Sequence, residues 1–267
     1  MSGEEIPSWA VSQLPAARHL GAAVFLGRQG GASSGEFASL NLSDAVGDST
    51  GAVHRNWMKV KSAFSTVRHW VRMRQVHGTV VRVVYERSVD DITECDALVT
   101  AVPQAALCVL TADCVPVLIA ASGGRPVAAV HAGWRGTAGR LVQEVVQVLR
   151  EQFEVSPHLL WAALGPSIGP CCYEVGGDVV TALRNAGLGR AIGTCAEGTY
   201  RVDLRLANRL ALTDAGLPDS QVLDVGGCTA CNAKDFFSHR RQRGLAGRQL
   251  SFVVCAEDSL HLRAGGG

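Results

Sequence analysis

Residues 105–131 read AALCVLTADCVPVLIAASGGRPVAAVH, and the fold class turns on how this stretch is divided. Three apolar, β-branched runs, Ala106 to Leu110, Val115 to Ala120 and Val127 to His131, are separated by a polar step at Asp113 and by a glycine-containing break at Ser122 to Arg125. Short apolar runs bounded by turn signals predict buried strands. No helical pattern lies between them, so strands cluster in mid-chain, which suits an α+β sandwich better than strict βαβ alternation. The stretch continues through Ala132, Gly133, Trp134, Arg135 and Gly136 to Thr137. From there Leu141, Val145, Val148 and Leu149 recur at helical spacing, which predicts a helix from Thr137, as its cap, to Phe153.

Working outward, the same reading predicts strands at Ala22 to Leu26, Val80 to Tyr85, Ala97 to Thr100, Leu159 to Leu164, Val222 to Val225 and Leu250 to Val254. Helices are predicted at Gly177 to Asn185 and at Leu204 to Asp214, where Asp203 caps the start and Gly216 stops the end. The expected architecture is a mixed β-sheet sandwich flanked by helices, in one domain over residues 21–258. Tails are expected at 1–20 and 259–267, because no linker, repeat or low-complexity tract breaks the chain between.

The chain has 267 residues and a formal charge of +1, which leaves no electrostatic footprint for nucleic acid. Its N-terminus lacks a secretory pattern and no apolar run reaches membrane length, so a soluble cytoplasmic protein with no membrane partner is expected. Nine cysteines at irregular spacing resemble a reduced set rather than a disulfide framework. Cys228 and Cys231 have the spacing of half a zinc knuckle or of a redox pair, but no matching second half and no thioredoxin-like context is visible, and buried or simply reduced thiols are the expected reading.

Chemistry concentrates at His77, Cys114 and His131. Two imidazoles and one thiolate make three zinc ligands, and a three-ligand set leaves a position open for water or substrate. Taken singly, a buried Cys or a strand-end His is more often a core residue than a ligand. Arg135, beside the predicted helix start, either fits a phosphate or carboxylate or is a surface turn residue, and the loop lacks the Lys-Ser/Thr ending of a P-loop. Gly165 to Pro170 lead into Cys171, Cys172, Tyr173 and Glu174, either a turn that delivers binding groups or a structural corner. Asp113 is either a proton carrier or a buried acceptor, and the first role needs a turn that brings it to the same side as Cys114.

Together these segments resemble the YfiH/YlmD family, also called the laccase-domain or polyphenol oxidoreductase family. The likeness rests on residues 38–42 around Asn41, Gly47-Asp48, residues 75–78, 96–100 and 112–116, residues 131–136, 165–175, Cys228-Thr229, 236–241 and Gly247-Arg248. It implies a zinc protein in which His77, Cys114 and His131 bind metal, with copper entering by substitution. It implies activity on purine nucleosides and phosphate: phosphorolysis of adenosine, inosine and S-methyl-5′-thioadenosine, with adenosine deamination. In that reading Cys114, His131 and Asp113 serve the chemistry, and Asn41, Arg135, Tyr173 and Arg240 serve the substrate. The rival readings are a copper-dependent phenol oxidase, a Cys-His hydrolase linked to peptidoglycan precursor fidelity, and a zinc clip completed by Cys171, Cys172 or His239. Eight histidines without a His-x-His pair argue against an ordinary four-copper oxidase. The chain departs from the family with Ala45 for His, Trp57 for Arg and His239 for Tyr, and the second change implies a lost anion contact, with Arg135 or Arg240 as substitutes.

Overall fold

A computed structural model describes residues 8–10, 22–85, 94–194 and 199–257. In chain order the elements are β1 Ser8–Ala10, β2 Ala22–Leu26, α1 Thr50–Ala63, β3 His69–Arg72, β4 Val81–Val84, β5 Ala97–Thr100, β6 Ala105–Thr111, β7 Val115–Ala121 and β8 Val127–Ala132. They continue with α2 Trp134–Ala138, α3 Leu141–Phe153, β9 Leu160–Leu164, β10 Glu174–Val175, α4 Gly177–Asn185, β11 Ile192–Thr194, β12 Tyr200–Val202, α5 Leu204–Asp214, β13 Val222–Asp224 and β14 Gln249–Val254. The expected tails lie outside the described residues, except for β1, which pairs antiparallel with β2.

Two large mixed sheets carry the fold, a five-stranded one in the order β1-β2-β14-β6-β3 and a six-stranded one in the order β13-β9-β7-β8-β5-β4. Phe25, Leu107, Val109 and Val253 from the first pack against Leu98, Leu118, Ala120 and Ala129 from the second. The other face of the six-stranded sheet, with Val115, Val117 and Ile119, packs on α3, α4 and α5. The outer face of the five-stranded sheet is covered by α1 through Val53, Trp57 and Val60. The sandwich flanked by helices is therefore the observed architecture. Because β7 and β8 are buried on both faces, they read as unbroken apolar runs rather than as alternating ones.

The helix expected from Thr137 differs. Gly133 is the cap, α2 runs for one turn and a half, and Arg140 takes a left-handed φ of 66° before α3 begins. Thr137 is buried inside α2, where its hydroxyl accepts from Asn208 Nδ2 at 3.0 Å rather than capping an end. Asp203 caps α5 as expected, accepting from the Leu206 amide at 3.0 Å.

Candidate metal centre and cleft

β6 belongs to one sheet and β7 to the other, so the three residues joining them cross between sheets at the mouth of the sandwich. Asp113 makes the crossing with φ of 95°. This is the turn needed to bring Asp113 and Cys114 to one side, and both line a cleft of about 820 Å³. His131, near the end of β8, shares the strand face of Val127 and Ala129, which points toward the other sheet. His77 arrives from the loop between β3 and β4 with φ of 59°. The ligand atoms of His77, Cys114 and His131 all lie within 4.8 Å of one another, and the imidazole centroids are 4.7 Å apart.

Asp96 organises this convergence, and sequence reasoning passed over it. It directly precedes β5, its carbonyl accepts the His131 amide at 2.8 Å, and it is fully buried. Its Oδ1 takes the His131 Nδ1 contact at 2.8 Å and the His77 amide at 3.0 Å, while Oδ2 accepts the Gly78 amide at 2.6 Å and the Val76 amide at 3.3 Å. Burial pushes its pKa up, but the His131 and backbone hydrogen bonds outweigh burial and hold the carboxyl below its ordinary value. With Nδ1 committed, His131 has only Nε2 to offer the cleft. Burial likewise opposes charge on Cys114, yet the adjacent His131 draws the thiol well below its usual range and is itself raised, as an imidazolium–thiolate couple requires.

The space between the ligands is kept open by Gly133. A Cβ there would sit 3.1 Å from Cys114 Sγ and 3.4 Å from His77 Cδ2. Two imidazoles and a thiolate suit a borderline-soft divalent ion such as zinc, and copper also favours this donor set. Among the described residues no fourth His, Cys, Asp or Glu joins these three. A zinc clip closed here by Cys171, Cys172 or His239 is therefore not what the fold builds. The two cysteines belong to a separate cluster, and His239 lines the cleft without entering the ligand set.

The cleft is cationic. Arg72, Arg74, Arg135, Arg240 and Arg248 line it, against the carboxylates of Asp44 and Asp113. Arg135 lies over the Trp134 ring at 4.5 Å and Arg240 over the Tyr173 ring at 5.2 Å. Burial raises the Tyr173 phenol to about 12, which keeps its hydroxyl protonated. Arg248, also outside the predicted site, lies close enough to Cys114 and Asp113 to feel both charges.

Other expectations need correction. Asn41, expected at the substrate, is fully buried and does not line the cleft, its amide spent on Ser43 O, Asp48 and the amides of Ser43 and Arg248, so its place is behind the wall. Asp113 accepts from Thr229 Oγ1 at 2.6 Å and from the Arg240 amide at 2.7 Å, one bond to each oxygen, which favours the buried-acceptor role over proton transfer. Trp57 is buried against the five-stranded sheet with its indole N–H on Leu42 O. It does not itself line the cleft.

Residues 22–256 match the family described as multi-copper polyphenol oxidoreductase laccase. Purine nucleoside phosphorylase YlmD of Geobacillus stearothermophilus is 37% identical over 244 residues, covering 86% of this chain and 89% of that relative. Adenosine deaminase RL5, from an unknown prokaryotic organism, is 35% identical, covering 81% of this chain and 87% of that protein. The crystal structure of YlmD from Geobacillus stearothermophilus superposes with a TM-score of 0.88 at 34% identity, covering 95% of this chain and 98% of that one.

Proposed function

Since the chain belongs to the multi-copper polyphenol oxidoreductase laccase family, we propose that it is a zinc-dependent purine nucleoside enzyme. Its reaction is phosphorolysis of adenosine, inosine and S-methyl-5′-thioadenosine to free base and sugar 1-phosphate, with adenosine deamination at the same centre. The relatives named purine nucleoside phosphorylase and adenosine deaminase support this reading. The observation that carries it is a His-Cys-His set opening into a cleft lined by arginines.

His77, Cys114 and His131 would hold the ion, which supplies Lewis-acid polarisation and a water that ionises near neutral pH. The remaining work falls to side chains. Phosphate must approach C1′ with its charge neutralised, and guanidinium groups do this through paired, charge-assisted hydrogen bonds. Arg135 is exposed and, among the described residues, makes no hydrogen bond to a carbonyl in the cleft wall, whereas Arg240 donates to Cys172 O and Glu174 O and Arg248 to Ala246 O and Gly247 O. Arg135 is accordingly the main phosphate contact with Arg72 as a second, and Arg240 and Arg248 build the wall. Tyr173 offers a neutral hydroxyl donor, and the Trp134 and Tyr173 rings offer apolar faces to a base.

The test incubates metal-analysed protein with each nucleoside, with and without phosphate, and identifies the products by chromatography. Free base that appears only with phosphate, inosine formed from adenosine, and neither in the His77→Ala/Cys114→Ala/His131→Ala variant, is the expected result. The same products from that variant would sink the reading. Arg135→Ala is expected to reduce phosphorolysis at least tenfold more than deamination, and equal losses with metal retained would remove its phosphate role.

The Asp96–His131–Cys114 line also has the order of a carboxylate-oriented base beside a thiolate nucleophile. Metal content separates the two. Stoichiometric zinc with Cys114 protected from alkylation supports the nucleoside enzyme, and metal-free protein with a rapidly alkylated Cys114 supports the hydrolase.

A further inference from the structure

Outside the cleft, Cys171, Cys172, Cys228 and Cys231 bring their sulfurs together within 4.8 Å. From this juxtaposition we propose a second metal site, a closed tetrathiolate that holds one zinc ion as a structural clip. It stands independently of the nucleoside reading.

The sequence shows one Cys-x-x-Cys and no partner for it; the fold supplies the partner. β9 and β13 are parallel neighbours, so the segments leaving their C-terminal ends run side by side. Ser167 bridges Cys228, and the Thr229 amide donates to Ser167 O at 3.0 Å. The turn after Ile168 closes through the Cys172 and Tyr173 amides on Gly169 O, which places the adjacent Cys171 and Cys172 opposite Cys228 and Cys231. Cys231 Sγ lies 3.5 Å from Cys171 Sγ and 3.3 Å from Cys172 Sγ.

A zinc–sulfur bond of about 2.3 Å sets the edge of a ZnS₄ tetrahedron at about 3.8 Å, within the spread of these sulfurs. The set has the four protein ligands of a structural site, whereas the cleft has the three of an open one. Gly169 is a second, independent sign. Its amide donates to Cys228 Sγ at 3.3 Å, and a Cβ there would press to 3.3 Å on both Cys171 Sγ and Cys228 Cβ. A side chain here would crowd the sulfurs that the backbone donor approaches, and N–H···S bonds of this kind favour thiolates ready for a cation.

The clip would brace the cleft from behind. Tyr173 follows Cys172 directly, Arg240 Nη1 donates to Cys172 O at 3.4 Å, and Thr229, next to Cys228, holds Asp113. An ion joining the two segments fixes the wall that carries these groups.

The experiment uses the full chain purified under reductant and loaded with Zn²⁺ or Co²⁺, with bound metal measured after gel filtration. Two zinc ions per chain are expected in the wild type, one in His77→Ala/Cys114→Ala/His131→Ala, and one in Cys228→Ser/Cys231→Ser. Cobalt in the first variant is expected to show the intense sulfur-to-cobalt charge transfer of four thiolates. Circular dichroism on both variants checks that they fold. Should either variant fail to fold, the wild type still decides through its zinc stoichiometry and by mass spectrometry of alkylated peptides. One zinc per chain with these four thiols freely alkylated, or a disulfide within the cluster in zinc-loaded protein, overturns the proposal. So does a second ion that survives Cys228→Ser/Cys231→Ser. Loss of metal from the cleft alone leaves the clip intact, so the two readings fail separately.

Discussion

Asp96 touches no substrate position, yet its carboxylate sets both the His131 ring and the His77 loop. In Asp96→Asn one of the two oxygens becomes an NH2 donor, which would face either the His131 ring and the His77 amide or the Gly78 and Val76 amides, all of which need an acceptor. Removing such an outer partner typically weakens metal binding about 10–100-fold, and that loss is expected here in competition with a zinc chelator. Unchanged zinc affinity would show that the ligands orient without it. Gly133→Ala is a complementary probe, since φ of −74° and ψ of 171° suit alanine and the added methyl meets only the ligands. It is expected to lower zinc affinity by at least about tenfold (about 1.4 kcal/mol) while leaving the melting temperature of the metal-free protein nearly unchanged, and a large drop in that temperature would contradict the local explanation. The grouping of His77, Cys114 and His131 was legible because the capacity to ligate a metal is written in the residue itself, and the fold brings the three together. Asp96, Asn41, Asp113 and Arg248 were not, because their roles depend on partners brought by other strands. Asp113 and Thr229, which share a 2.6 Å bond, are 116 positions apart in the chain.

At the scale of elements, α1 was the main omission, although Val53, Trp57 and Val60 follow helical spacing after Ser49. The buried Asn56 interrupts that stripe as a polar residue, and only the fold reveals its bonds to Ser33, Ser39 O, Asn41 O and the Ala32 amide. Trp57 packs edge-on to Trp70 with centroids 6.2 Å apart and carries the Arg72 guanidinium 5.2 Å from its ring. Trp57→Ala is expected to cost about 3–5 kcal/mol in chemical denaturation and, by releasing Arg72 at the cleft, to raise KM for phosphate. A phosphate KM that stays constant would confine Trp57 to packing. The small sheet of β10, β12 and β11 escaped sequence reading because its strands are two or three residues long and partly exposed. The connection from α5 to β13 is tied by Arg209, which grips both Asp219 oxygens at 2.6 and 2.8 Å and donates to Val222 O. The Arg209 partnership holds the Asp219 pKa below its ordinary value. Its contribution to stability is therefore present above the unfolded carboxyl pKa of about 4 and is lost as pH falls through the lower folded value. Asp219→Asn is expected to lower stability at neutral pH, with the gap from wild type closing in acid. A gap independent of pH would contradict the ion pair.

For the molecule as a whole, the two sheets can close over the site only because backbone meets side chain without a Cβ between them. Gly165, which follows β9, donates its amide to Pro116 O in β7 at 2.9 Å, and a methyl there would come within 2.2 Å of Phe25 Cε1 and 2.8 Å of Pro116 Cγ. Phe25 is fully buried in the opposite sheet and cannot swing away. Gly226 in turn lies against Gly165, where a Cβ would meet its carbonyl oxygen at 2.6 Å. Gly165 opens the segment that reads in the sequence as either a binding turn or a structural corner, and close approach of the layers is what Gly165 and Gly226 serve. The contact leads to the ligands, because the Ile168 amide, three residues on, donates to Asp113 O in the turn that presents Cys114. Gly165→Ala is expected to destabilise the fold by about 1–3 kcal/mol through overpacking and to weaken zinc binding in the cleft. Phe25→Leu removes part of the ring that the methyl would strike, so the double variant should lose less than the sum of the two single variants. Strict additivity in urea denaturation would show that this contact does not join the two sheets. A rescue of stability without a rescue of zinc affinity would show that it joins them but does not reach the ligands.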